Sequence, residues 1–231
     1  MTYPWSDLSY WKTGEWQVVQ EHLEDLKITG RQMNPKRVNL FKALSAVREE
    51  DVKVAIFGQD PYPQHNYASG VAFSIPADLD IFPQTLINIF KEYQDDLHYP
   101  KPPHGNLKKW TDQGVLLWNV IPSCTEDKSL SHDWEEYKPL TIEIIKKLNN
   151  LGCIIVLLGG KARSFVKYID QERCEVIELS HPSPRASIAA RNPFFGSRLF
   201  STINSKLATQ GDAPIDWRLD DGDGKGAARK T

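Results

Sequence analysis

Four short apolar runs constrain this chain most: Val52-Lys-Val-Ala-Ile-Phe-Gly58, Gly114-Val-Leu-Leu-Trp-Asn-Val120, Cys153-Ile-Ile-Val-Leu-Leu-Gly159 and Glu175-Val-Ile-Glu-Leu179. The second and third are nearly continuous in apolar residues rather than alternating. Strands covered on both faces read this way. Between the runs, helical spacing is visible. Gln84 to Leu97 carries Leu86, Ile89, Phe90 and Tyr93 at helical intervals, and Tyr137 to Leu148 carries Leu140, Ile144, Ile145 and Leu148. Strands alternating with helices predict an α/β fold with a mainly parallel sheet.

Nothing between the strands looks like a domain linker. Residues 1–219 are therefore expected to form a single domain, followed by a disordered Gly- and charge-rich tail at 220–231, DDGDGKGAARKT. The formal net charge of -2 gives no whole-molecule sign of a nucleic-acid partner, so charge has to be read locally. The three cysteines, Cys124, Cys153 and Cys174, are odd in number and lack C-x-x-C spacing. That argues against a disulfide framework or a zinc site and for a reducing compartment. The N-terminus has no unbroken apolar segment, and no run approaches the ~20 residues of a membrane span. The expectation is an intracellular, cytoplasmic protein with no membrane association; nucleoid and nucleus are not distinguished.

The residues after each strand carry the chemistry. The first strand runs into Gln59-Asp60-Pro61-Tyr62, and the second ends at Asn119 before Ile121-Pro122-Ser123. The third leads to Gly159-Gly160-Lys161, and the fourth to His181-Pro182-Ser183-Pro184. In an open parallel sheet these ends share one edge, where ligands bind. Asp60, Asn119 and His181 are thus expected to converge, offering a carboxylate, an amide and an imidazole. Each also has a plainer reading, as a turn, strand-end or loop residue. Gly159-Gly160-Lys161 lacks the spacing of a phosphate loop and reads as a strand-to-helix turn. The histidines lack metal-ligand spacing, and Ser183 lacks a nucleophile-elbow context, so no metal or cofactor is expected. The segment HPSPRASIAARNPFFGSR carries Arg185, Arg191 and Arg198 and no acid, which favours phosphate contact.

With these residues in order, the sequence resembles the uracil-DNA glycosylases of the first family from about Met33 to Leu219. The blocks are Val52 to Tyr62, Ala68-Ser-Gly-Val-Ala-Phe-Ser74, Gln84 to Ile89, His104-Gly-Asn-Leu-Lys-Lys-Trp110 with Gln113 to Asn119, His181-Pro-Ser-Pro184, and Phe194 to Ser201. Pro214-Ile-Asp-Trp217 resembles the family's C-terminal strand region. The resemblance implies a three-layer α/β/α sandwich around a central four-stranded, mainly parallel sheet. It also implies a monofunctional, metal-free hydrolase that flips uracil out of DNA and cleaves its N-glycosidic bond.

The same resemblance assigns the site. Cleavage builds positive charge on the sugar and negative charge on uracil, as in other oxocarbenium-like reactions. Asp60 stabilises the cation and orients water. His181, acting neutral, donates to uracil O2, and Gln59 adds its backbone N–H. Asn119 accepts from uracil N3–H and donates to O4, a pattern that cytosine reverses. Tyr62 blocks the thymine methyl, and Phe73 stacks on the base. Thr85 and Ser183 match hydroxyls that grip DNA phosphates. Arg185 stands where the family usually carries a leucine wedge, while Pro63 and Ser69 stand in place of family histidines. The implied partners are single- and double-stranded DNA containing uracil, with a protein inhibitor or replication protein as a further partner of a monomer. Two alternatives stay open at this point: a DNA-binding scaffold with subordinate catalysis, and a glycosylase for a modified uracil.

Overall fold

The computed structural model describes residues 5–183 and 192–219. Arg185 and the expected tail at 220–231 lie outside the described residues. In chain order the elements are α1 (Gly14–Ile28), β1 (Met33–Asn34), α2 (Lys42–Ala46), β2 (Val54–Gly58), α3 (Gln84–Leu97), α4 (Lys108–Thr111), β3 (Val115–Asn119), β4 (Cys124–Thr125), α5 (Lys138–Leu151), β5 (Ile154–Leu158), α6 (Gly160–Arg163), β6 (Glu175–Leu179) and α7 (Leu199–Gln210). Four strands form a parallel sheet in the order β3-β2-β5-β6, and β1 pairs antiparallel with β4 in a small ribbon.

The continuous apolar runs are explained by burial on both faces. Val54, Ile56, Val115, Leu117, Ile154 and Val156 pack with Leu86, Ile89 and Phe90 of α3 and with Leu199, Ile203 and Leu207 of α7. Their neighbours Ala55, Phe57, Leu116, Trp118, Ile155 and Leu157 face the other way, onto Leu44 of α2 and Leu140, Ile144 and Leu148 of α5. The result is the expected three-layer sandwich. Each such side chain, fully buried, is worth about 1.5–3 kcal/mol, so each cover layer is held by many independent contacts. β6 is an edge strand, and Glu175 and Glu178 there pair with Lys206 and Arg163. Charges at this position blunt the free edge against further pairing.

Helix α3 does more than cover the sheet. Its Glu92 and Asp96 are buried. Glu92 accepts from the backbone N–H of Gly196 and of Arg198, both at 2.7 Å. Asp96 accepts from the Ser201 N–H at 2.8 Å, within the first turn of α7. A carboxylate there satisfies an amide with no partner inside the helix and suits the positive end of the helix dipole. The segment from Gly196 into α7 is thereby clamped to α3.

The N-terminal tryptophans have structural work. Trp5 donates from Nε1 to the Val47 carbonyl at 3.0 Å. Trp11 and Trp16 pack on Phe41 with ring centroids 5.0 and 5.5 Å apart. At the other end, Pro214 to Trp217 departs from the expected strand region, because no ladder forms there. Side chains of the β3 approach satisfy it instead: Trp110 Nε1 donates to the Trp217 carbonyl at 2.8 Å. Gln113 bonds Asp216 in both directions, at 2.9 and 2.7 Å. Ile215 and Trp217 remain buried all the same.

Candidate active site

The strand order makes the site. From β2 the chain passes to β3 on one side, and from β5 it passes to β6 on the other. The crevice outside the C-terminal ends of β2 and β5 is the switch point where such sheets bind ligands. A cavity of about 560 Å³ opens there, lined by Gln59, Asp60, Tyr62, Phe73, Thr85, Asn119, His181 and Ser183. Every site residue expected from sequence and lying within the described residues therefore meets at one place. Arg185 lies outside them. Pro63 and Ser69 also line the cavity.

Asp60 leaves the end of β2 and its carboxylate is held on both oxygens. Oδ1 accepts from Gln59 Nε2 at 2.9 Å, and Oδ2 accepts from Ser129 Oγ at 2.6 Å and the Leu130 N–H at 2.7 Å. His181 follows β6. Asn88 on α3 fixes its neighbour by donating to the Pro182 carbonyl at 2.8 Å. A Cβ on Gly159 would stand 2.8 Å from that of His181, so a glycine there lets the imidazole close over the end of β5. Gly159 also holds φ at +89°, a conformation that glycine adopts at little cost. Burial pushes the His181 imidazole below its usual range, and the Asp60 carboxylate pulls it up less strongly. The ring is therefore neutral at neutral pH and available as a hydrogen-bond donor.

The wall that carries Asn119 and Phe73 is equally fixed. Asn119 ends β3 opposite Gly58 in register. An atom added at Gly58 would lie 2.5 Å from Asn119 Oδ1 and 2.8 Å from Phe73 Cζ. The amide and the ring thus close over a backbone that must lack a side chain. Phe73 sits at φ +64°, a costly backbone for a bulky residue. Tyr62 donates its hydroxyl to the Phe73 carbonyl at 3.1 Å, which ties the two aromatic groups together. Desolvation raises the Tyr62 phenol further above its usual value, so it stays protonated for that bond. The His181 ring lies 6.2 Å from that of Phe73, tilted by 45°.

Pro63 and Ser69 acquire local roles. The Pro63 carbonyl accepts from Asn34 Nδ2 at 2.7 Å and the Asp127 N–H at 2.9 Å, joining the β1 and β4 segments to the Asp60 turn. Ser69 Oγ donates to the Ser74 carbonyl at 3.0 Å and braces the loop that carries Phe73. Beneath the turn, burial and the Asp60 charge push the Cys124 thiol up to about 12, so it stays neutral.

Sequence reasoning missed Ser129, Leu130 and the network behind them. His132 is buried, bonded to Ser123 at 2.9 Å and Thr125 at 3.0 Å, and stacked on Trp134 at 4.3 Å. Burial lowers its pKa from 6.5 to about 4. Between those values the unfolded chain binds the proton and the folded chain does not. Stability is therefore complete above about pH 6.5 and is lost as pH falls toward 4. The loss is expected to reach about 3 kcal/mol, at 1.36 kcal/mol per pKa unit. Urea unfolding between pH 7 and 4 checks this, and His132→Gln flattens the slope.

A carboxylate, a neutral imidazole, an amide and an aromatic ring around one cavity make a site able to hold a flat polar ring and to support hydrolysis. A model of the Uracil DNA glycosylase superfamily matches residues 45–208. The uracil-DNA glycosylase of Enterococcus faecalis is 41% identical over 187 residues, covering 80% of this chain and 81% of that protein. A solved mimivirus uracil-DNA glycosylase is 26% identical at a TM-score of 0.80, covering 90% of this chain and 83% of the other. A mimivirus UNG variant in complex with UGI gives a TM-score of 0.83 at 26% identity, over 95% and 89% of the chains. The chain belongs to the uracil DNA glycosylase superfamily.

Proposed function

We propose that the protein excises uracil from DNA, with Asp60 and His181 acting on opposite charges of one transition state. It is a hydrolase of N-glycosyl bonds in base-excision repair. The supporting observation is the convergence of Asp60, Tyr62, Phe73, Asn119 and His181 around one cavity. The flipped base stacks on Phe73, and Asn119 bonds N3–H and O4. Tyr62 fills the space beside C5 that a thymine methyl requires.

As the glycosidic bond breaks, the anionic Asp60 faces the sugar cation and orients water. His181 donates from its neutral ring to the uracil O2, and the Gln59 backbone N–H joins it. A preorganised donor aimed at a developing anion is often a large catalytic term. Thr85, in the first turn of α3, and Ser183 lie at the cavity wall and bind flanking phosphates. Arg185 is assigned to DNA contact by resemblance alone.

Residues 1–219 work as one unit on uracil-containing DNA, single- or double-stranded, inside the cell. The relative solved in complex with UGI supports a second partner class, a protein inhibitor. His181→Ala tests the division of labour. Single-turnover uracil release is expected to fall about 100-fold, with binding of an uncleavable 2′-fluoro-deoxyuridine oligonucleotide changed little. An unchanged rate would remove His181 from the mechanism.

A further inference from the structure

We propose that Ser129 is a positioning residue for the reaction, fixing the rotation of the Asp60 carboxylate. This rests on the functional reading above and deepens it. Two donors from one short turn reach the same oxygen, Ser129 Oγ at 2.6 Å and the Leu130 N–H at 2.7 Å. The third donor, Gln59, takes the other oxygen at 2.9 Å. With both oxygens engaged the carboxylate cannot rotate without losing charge-assisted bonds, and Ser129 supplies the shortest of the three.

The turn that supplies these donors is itself held. Leu130 has φ at +61°, and its N–H reaches Asp60 Oδ2. Ser131 Oγ accepts from the Thr125 N–H at 2.7 Å, and the Lys128 N–H reaches the Thr125 carbonyl at 3.0 Å. The adjacent His132 is anchored through Ser123 and Thr125. Ser129 is exposed and lines the cavity. Having given its one proton to Asp60, its hydroxyl keeps lone pairs for a water in the same cavity. Pro63, on the neighbouring turn and also at the cavity, has no side-chain group for either task. Ser129 thus connects the carboxylate to the solvent side of the cavity.

Ser129→Ala and Ser129→Thr test this on single-stranded uracil oligonucleotides under single-turnover conditions. Misplacement of a reacting group can cost up to about 100-fold. Ser129→Ala is expected to release uracil roughly 10- to 100-fold more slowly. Its affinity for the 2′-fluoro-deoxyuridine oligonucleotide and its melting temperature should stay at the wild-type values, because the side chain is exposed. Ser129→Thr keeps the hydroxyl and should recover most of the rate. A wild-type rate in Ser129→Ala, a loss confined to affinity, or a loss that Ser129→Thr leaves unrepaired would overturn the assignment. A wild-type protein that releases no uracil would overturn the functional reading itself.

Discussion

Asp60→Asn is expected to lower the single-turnover rate of uracil release about 1,000-fold, which corresponds to roughly 4 kcal/mol of lost transition-state stabilisation. The substitution keeps the shape of the side chain and removes the charge proposed to face the sugar cation. Oδ2 takes two donors, so the remaining oxygen of asparagine should stay on the Ser129 and Leu130 side. The new amide then faces Gln59 Nε2, donor against donor, and Gln59 has to turn its own amide. The turn thus survives with a local adjustment, and substrate affinity should change much less than rate. Quenched-flow release of labelled uracil, with affinity measured on the uncleavable oligonucleotide, separates the two. An equal loss in both would mean that Asp60 binds substrate rather than stabilising the transition state.

Gly58→Ala is the second large effect. Its new methyl would lie within 2.5 Å of Asn119 Oδ1 and 2.8 Å of Phe73 Cζ. β2 is paired on both sides, with β3 and β5, so its backbone has little freedom to retreat. The displaced groups are the two proposed to read and stack the base. Displacements near 1 Å in a reacting geometry can cost about 100-fold, and kcat/KM is expected to fall by at least about that factor. The sheet should remain folded, which circular dichroism checks. A variant with wild-type kcat/KM would show that Asn119 and Phe73 do not set the pocket.

The parts of this design that could be read from sequence are those with a local signature. The strand Glu175–Leu179 and the helix Gln84–Leu97 agree with their expected bounds, because apolar spacing marks them directly. Asp60, Asn119 and His181 could be brought together by topology alone, since each follows a strand of one parallel sheet. The supporting groups had no such signal. Ser129 lies 69 positions from Asp60, and Glu92 lies 104 from Gly196. Glu92 and Asp96 sit in a stretch, KEYQDDL, that resembles a solvated helix face. Their burial follows from the unpaired amides of a distant segment, which apolar spacing does not encode. Pro214 to Trp217 shows the converse: an extended, partly apolar segment whose hydrogen bonds go to side chains rather than to a strand.

The central claim is that this cavity selects uracil and hydrolyses its glycosidic bond with protein groups alone. Single-stranded oligonucleotides holding uracil, thymine, cytosine or 5-hydroxymethyluracil, incubated with a metal chelator and then treated with alkali to cut abasic sites, test it most directly. Scission is expected at uracil only, undiminished by the chelator. Scission at thymine or cytosine at a comparable rate, or none at uracil with enzyme in excess, would contradict it.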